Sequence, residues 1–137
     1  MLDRERILGK IAELDSYLGE LKQVTPATFD VYQAIEKKRS CERLLQLSIE
    51  SAIDDAKWLF QVSSWDYLQT KTLFSKLHAK KIISEAMAGT LREMKGFRNI
   101  LIHEYATVDD EVVYSYAKMN INDFEEFEKQ ILASISS

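Results

Sequence analysis

The sequence has few of the residues that cross-link a small domain or interrupt its helices. It contains one cysteine, one proline and four glycines. A single cysteine, Cys41, cannot form a disulfide within the chain, which favours a reducing compartment and predicts a cytoplasmic location. No apolar run approaches the ~18 residues that cross a bilayer, and the first ten residues lack the apolar core of a signal peptide. We therefore expect neither a disulfide scaffold nor a membrane protein.

Apolar residues recur at helical spacing along most of the chain, and few segments alternate as strands do. The spacing predicts helices over residues 3–23, 27–62, 67–77 or 67–79, and 85–103, a fifth from Asp110 or Glu111, and a last one carrying Phe124, Phe127, Ile131 and Leu132. We expect one all-α domain over residues 1–137. Its core is an up-down four-helix bundle, followed by short additional C-terminal helices.

Several local features refine this prediction. The long second helix, which could be kinked, carries an apolar stripe that includes Val31, Ala34, Ile35, Cys41, Leu44, Leu45 and Phe60. Residues 63–66 are expected to form a loop, and Ser84 is a good cap for the fourth helix. Gly96 lies within that helix, where it costs up to ~1 kcal/mol relative to alanine. Such a glycine often permits the close approach of another helix.

The stretch RNILIHEY, residues 98–105, combines residue types that suit chemistry on RNA. Arg98 offers a planar, permanently charged fork that matches a phosphate group. His103 can transfer a proton near neutral pH, and Asn99 could orient either group. Together they could hold an RNA phosphate while a ribose 2′-hydroxyl attacks it, and that reaction needs no metal.

The spacing within this motif sets a geometric condition. Residues five apart lie ~140° apart around an α-helix, so Arg98 and His103 are not neighbours on one face. Either the end of the helix is distorted, or a second copy of the chain completes the site. A two-fold homodimer would bring the same patch together twice.

A purely structural interpretation of the motif is also open. His103 could complement the dipole at the end of its helix, and Tyr105 could be a core aromatic residue with its hydroxyl at the surface. The other histidine, His78, lies among lysines and is expected to be solvated. No spacing of metal ligands or glycine-rich phosphate loop is present, so we expect neither a metal nor a cofactor.

The charge of the chain is unevenly distributed. The net charge is −4, whereas residues 71–98 contain seven basic and two acidic residues and carry +5. This window is either an ordinary solvated helix face or a phosphate-binding patch beside the motif. Trp65 and Tyr67 could likewise stack on bases or simply hold a loop against the core.

The motif and its surroundings resemble the HepT-like toxins of the HEPN superfamily. GFRNILIHEY carries the arginine, histidine and tyrosine of that branch at its spacing, and DDEVVY and NDFEEF follow it. CERLLQLSIESAIDDA is similar to the long central helix of the family. The matching residues there are Glu42, Arg43, Gln46 and Asp54. SWDYLQTKTLFSKLHAKKIIS resembles the segment that comes next.

The resemblance implies an all-α homodimer that acts as a metal-independent ribonuclease toxin. Its implied partner, besides the RNA substrate, is an MntA-like nucleotidyltransferase antitoxin, which transfers AMP from ATP to the motif tyrosine and so blocks the cleft. Carried over to this chain, Arg98 binds the scissile phosphate, His103 transfers the proton, Asn99 assists, and Tyr105 accepts AMP. Asp54 is either a supporting residue of the cleft or a surface acid. The alternatives are a non-catalytic HEPN module that binds nucleotide or scaffolds the transferase, and a purely structural bundle.

Overall fold

The computed structural model describes residues 4–59, 67–104 and 106–136. Its helices, in chain order, are α1 (Arg4–Val24), α2 (Phe29–Tyr32), α3 (Ile35–Leu59), α4 (Tyr67–Ala79), α5 (Glu85–His103), α6 (Asp110–Met119) and α7 (Ile121–Ser136). These ranges contain no β-strand, and the prediction of an all-α fold is confirmed. None of the helices described is long and apolar enough to cross a bilayer.

Helix α3 is the centre of the bundle. It packs against α1 on one side and against α5 on another, while α4 packs on α5, and the shorter α6 and α7 close the remaining sides. The apolar stripe of α1 faces this core, as its spacing of four and three predicts: Ile7, Ile11, Leu14, Leu18 and Leu21. Each such fully buried aliphatic side chain contributes about 1.5–3 kcal/mol to folding.

The predicted second helix is wrong in one respect, because the chain breaks it into α2 and α3 around Gln33 and Ala34. Tyr32 and Cys41 are both fully buried. They are nine residues apart, so an unbroken helix would place them about 180° apart, on opposite faces. The break lets both reach the core, whereas Val31 and Ile35 of the predicted stripe are more than half exposed.

Aromatic packing explains where the short helix α2 goes. The rings of Tyr32 and Tyr114 lie 5.1 Å apart, and Phe29 lies 5.8 Å from Tyr114. The hydroxyl of Tyr114 donates to the carbonyl of Pro26 at 2.9 Å. These contacts attach the segment before α3 to α6, and helical periodicity alone does not predict them.

The other boundaries follow the prediction closely. Helices α1, α4 and α5 begin and end within one residue of the expected positions, and the hydroxyl of Ser84 accepts the N–H of Met87 at 3.1 Å. In α7, Phe124, Phe127 and Ile131 are buried as expected, but Leu132 is 38% exposed. The predicted loop at residues 63–66, with Phe60 and Trp65, lies outside the described residues.

Candidate active site

Helix α5 fixes the position of the motif. Its buried side chains recur three and four residues apart, as predicted: Met87, Leu91, Met94, Phe97 and Leu101. This stripe anchors α5 against the core, so the orientation of every other residue on the helix is set. The motif lies in the last turns of α5, where Arg98 is half-buried and both Asn99 and His103 are exposed.

Arg98 turns toward α3, where it meets Glu50. Its Nε and Nη2 atoms both donate to Oε2 of Glu50, at 3.1 and 2.8 Å. Its Nη1 atom donates to Oδ1 of Asn99 at 3.3 Å. The structure therefore brings Arg98 and Asn99 together, as the motif suggested. It also adds Glu50, which the sequence interpretation missed.

One signal in the sequence could have pointed to Glu50. It lies four residues after Gln46 and four before Asp54, both of which match polar positions of the family's central helix. Residues four apart lie on the same face of a helix, so the three polar side chains form one strip along α3. The spacing reveals the strip, but it cannot reveal that α5 places Arg98 opposite its middle.

His103 lies on a different face of the same helix. Helix α5 runs to His103 without a break, and the N–H of Glu104 still donates to the carbonyl of Ile100 at 2.8 Å. The end of α5 is thus not distorted, and the ~140° between Arg98 and His103 stands. Of the two explanations for this spacing, a distorted helix end is excluded, and completion by a second copy of the chain stays a prediction.

The exposed face of α5 carries Arg92, Gly96, Asn99 and His103. Among the described residues, a Cβ atom added at Gly96 would meet nothing within 4 Å. The expectation that this glycine permits the close approach of another helix is therefore wrong within one chain. The exposed surface near His103 also includes the apolar side chain of Ile100, which is 39% exposed.

Cations accumulate around Arg98. Burial lowers the pKa of Lys57 to about 8, Asp54 opposes this shift, and the charges of Arg98 and Lys95 add to it. Burial, followed by repulsion from Arg98, also lowers the pKa of Lys95. Glu50 is thus the carboxylate bound to Arg98 in a neighbourhood that holds two further cations.

Asp54 lies one helical turn after Glu50 and is 34% exposed. Its carboxylate is 3.9 Å from Nζ of both Lys10 and Lys57. Burial raises the pKa of Asp54, and the two lysines counteract the shift. These contacts place Asp54 beside Lys10 and Lys57, and its role in the cleft stays a prediction.

Only part of the +5 window lies near the motif. Lys80 and Lys81 follow α4 and precede Ser84, at the opposite end of α5 from His103. That separation is about 28 Å at 1.5 Å per residue.

Arg92 of the window points toward α4. It reaches across to that helix, where its Nη2 donates to Ser75 at 2.5 Å. Of the window, Lys95 lies close to Arg98, and so does Lys57 from outside the window. Arg39 and Arg43, also outside the window, line a groove with Leu101 and Ile102 of the motif stretch.

Some of the remaining candidate residues lie outside the part of the chain that the structure describes. Tyr105 and Trp65 lie outside the described residues, and so does the side chain of Tyr67. His78 is exposed, as expected, with Nδ1 3.3 Å from the carbonyl oxygen of Ile83.

A groove of about 310 Å³ lies beside α3. It is lined by Glu42, Arg43 and Gln46, which match the family's central helix, together with Arg39, Leu101 and Ile102.

Two curated nucleases are similar to this chain over most of its length. It is 25% identical over 122 residues to the mRNA nuclease HepT of Shewanella oneidensis, and the alignment covers 88% of this chain and 92% of that protein. It is 28% identical over 117 residues to the tRNA nuclease HepT of Aphanizomenon flos-aquae, which covers 84% of this chain and 80% of that protein.

A solved structure of the tri-AMPylated Shewanella oneidensis HEPN toxin in complex with an MNT antitoxin has the same fold. It matches with a TM-score of 0.80 at 26% identity, over 97% of this chain and 99% of that one. The helical bundle and the motif at the end of α5 are those of a HEPN protein. A family model described as "Ribonuclease HepT-like" matches residues 11–131, and the chain belongs to that family. The predicted family is thus confirmed, and the similarities favour a toxin over a non-catalytic module.

Proposed function

We propose that this chain is a metal-independent endoribonuclease toxin whose active site is formed by the α5 motif. The observation that carries the proposal is the arrangement at the end of α5 in a chain of the ribonuclease HepT-like family. An arginine is held in place by two polar neighbours, and a solvent-exposed histidine lies one to two turns further on. The two curated relatives are named as RNA nucleases, which supports RNA as the substrate.

The proposed reaction uses the substrate's own nucleophile. The ribose 2′-oxygen forms a bond to the adjacent phosphorus while the bond from phosphorus to the 5′-oxygen of the next nucleotide breaks. The products are a 2′,3′-cyclic phosphate and a free 5′-hydroxyl. Arg98 stabilises the charge that develops on the phosphate oxygens. The 2′-hydroxyl loses its proton and the leaving 5′-oxygen gains one, and His103 accepts the first or donates the second. Asn99 assists by holding Arg98.

A homodimer would bring these groups to one substrate. Within one chain Arg98 faces α3 and His103 faces solvent, so a single motif does not converge on one phosphate. A two-fold axis beside the exposed face of α5 would place Arg98 of one copy near His103 of the other. A particle with the mass of one chain, 15.9 kDa, at concentrations where RNA is cleaved would contradict this arrangement.

Metal independence gives the first test. We expect purified, AMP-free protein to cleave RNA at the same rate, within about twofold, with and without a strong chelator, because positioning and proton transfer suffice for this reaction. The products should carry 2′,3′-cyclic phosphate, read out by their resistance to phosphatase until acid opens the ring. Cleavage that needs a divalent ion and leaves 3′-hydroxyl ends would contradict the mechanism. Absence of any cleavage would favour the non-catalytic module.

We also propose that an MntA-like nucleotidyltransferase neutralises the toxin by modifying Tyr105. The structural relative is a tri-AMPylated toxin bound to its antitoxin, which supports this regulation. In the step, the oxygen of Tyr105 bonds to the α-phosphorus of ATP, pyrophosphate leaves, and the hydroxyl proton is released. The bulky, negatively charged AMP then lies two residues from His103 and repels an RNA phosphate. A cytoplasmic location, where ATP and RNA are present and the buried thiol of Cys41 stays reduced, belongs to the same proposal.

Changing Tyr105 to phenylalanine should abolish this modification. Phenylalanine keeps the ring and removes the accepting hydroxyl, so the variant should gain no AMP from the transferase and ATP and should go on cleaving RNA. Tyr17→Phe on α1 is the matched control and should be modified like the wild type. Intact-mass spectrometry with a parallel cleavage assay makes the measurement. If Tyr105→Phe gains as many AMP groups as the wild type, the acceptor is another residue.

A further inference from the structure

The contact between Arg98 and Glu50 joins two helices across 48 positions of the chain. Both side chains are only partly exposed, 22% for Arg98 and 24% for Glu50. A charge-assisted hydrogen bond is shorter and stronger than one between neutral groups, and the 2.8 Å distance fits that type. Partial burial strengthens it further, because the local dielectric constant is lower than in water. The pair is therefore a defined structural contact and not a passing surface ion pair.

The carboxylate of Glu50 is itself held in place. Gln46, one turn earlier on α3, donates from Nε2 to Oε2 of Glu50 at 3.4 Å. On the other side of the guanidinium, Nη1 of Arg98 donates to the exposed Asn99. A chain of hydrogen bonds thus runs from Gln46 through Glu50 and Arg98 to the exposed face of α5.

Repulsion between Arg98 and the neighbouring cations explains why Arg98 needs this chain of hydrogen bonds. Arg98 lies close enough to Lys57 and Lys95 for the three cations to repel one another. Arginine has a long side chain with several rotatable bonds, so it would turn toward solvent if nothing opposed that repulsion. Glu50 supplies the opposing attraction, and it does so from a rigid, central helix.

We propose that Glu50 is a positioning residue that holds the Arg98 guanidinium against α3 in the orientation in which it receives the RNA phosphate. The inference rests on the proposed function. Glu50 acts through Arg98, since a carboxylate in direct contact with RNA would repel the phosphate. It fixes the Nε edge of the guanidinium and leaves Nη1 on the side of Asn99. Positioning of this kind raises the turnover rate more than it raises the affinity for substrate.

The test compares Glu50→Gln with the wild type in single-turnover cleavage of a short RNA. Glutamine has the same size and removes the charge, so we expect the cleavage rate at saturating RNA to fall about 10- to 100-fold, with KM changed less than about threefold. Glu50→Asp keeps the charge on a shorter side chain and should recover part of the rate. Glu36→Gln, exposed in the first turn of α3, is the matched control and should leave both parameters unchanged. Thermal unfolding of each variant verifies that it is folded.

A double-mutant cycle separates action through Arg98 from other effects. In an Arg98→Ala background, measured with excess enzyme and long incubation, Glu50→Gln should cause no further loss, within about twofold. Full additivity of the two losses would overturn the inference. So would a lower KM at an unchanged rate in Glu50→Gln, because Glu50 would then only compete with RNA for the arginine.

The same set of variants distinguishes failure of this inference from failure of the proposed function. If Arg98→Ala cleaves RNA as fast as the wild type, the proposed active site is wrong and the role of Glu50 is wrong with it. If Arg98→Ala is inactive while Glu50→Gln behaves like the wild type, only the positioning role is overturned.

Discussion

Replacing His103 by alanine should lower the rate of RNA cleavage by about 10²- to 10⁴-fold, the usual contribution of a positioned general acid or base. The histidine is exposed at the end of α5, where substrate can reach it. Alanine keeps the helix intact and removes only the imidazole, which is the group proposed to transfer the proton. On the proposed mechanism Arg98 is intact and binds the phosphate, so RNA affinity should change little and the loss should appear in the turnover rate.

The chain offers a natural control for this variant. His78 is the second of two histidines, is also exposed, and lies near the opposite end of α5. His78→Ala should cleave RNA at the wild-type rate within about twofold. Equal cleavage by wild type and both variants would indicate a contaminating nuclease. A loss confined to His78→Ala would contradict the proposed active site and place it at the opposite end of α5 from His103.

Replacing Asp55 by asparagine should make the stability of the protein less sensitive to pH. Asp55 of α3 is fully buried, and neither of its carboxyl oxygens has a hydrogen-bond partner among the described residues. Burial, together with the neighbouring carboxylate of Glu128 on α7, raises the pKa of Asp55 to about 8. Its ordinary value in an unfolded chain is about 3.9. The folded protein therefore keeps a proton that the unfolded chain has released between these two values.

The sign of the pH effect follows from proton binding. Where the folded state binds more protons, the free energy of unfolding falls as pH rises. The wild type should thus lose stability from about pH 4 to about pH 8, whereas Asp55→Asn has no proton to lose at this position. We expect the stability of the variant relative to wild type to increase by about 2–4 kcal/mol between pH 4.5 and pH 8, since one pKa unit corresponds to 1.36 kcal/mol.

Urea unfolding at the two pH values, followed by circular dichroism, measures this difference. Asp54→Asn is the matched control, because Asp54 is the adjacent residue, is partly exposed and lies near Lys10 and Lys57. It should show a smaller dependence on pH, as water and the two lysines stabilise its charge. Parallel stability curves for wild type and Asp55→Asn would mean that Asp55 is charged and well solvated in the folded protein.

Most helix boundaries and the identity of the motif could be predicted from local sequence. The stripe of α1 and the limits of α5 follow from local periodicity and from the cap at Ser84, which depend only on neighbouring residues. The spacing of Arg98 and His103 within one helix was sufficient to show that they do not share a face. The motif also carried enough of the family's pattern to identify it without any three-dimensional information.

The contacts between faces of different helices could not be predicted in this way and are seen only in the folded chain. The tertiary structure paired Arg98 with Glu50, placed Lys57 beside Lys95, and buried Asp55 close to Glu128. It also separated α2 from α3, because the burial of Tyr32 depends on Tyr114 of α6. The physical reason is the same in each case: periodicity fixes the direction of a side chain relative to its own helix, whereas its partner depends on how that helix packs against segments far away in the chain.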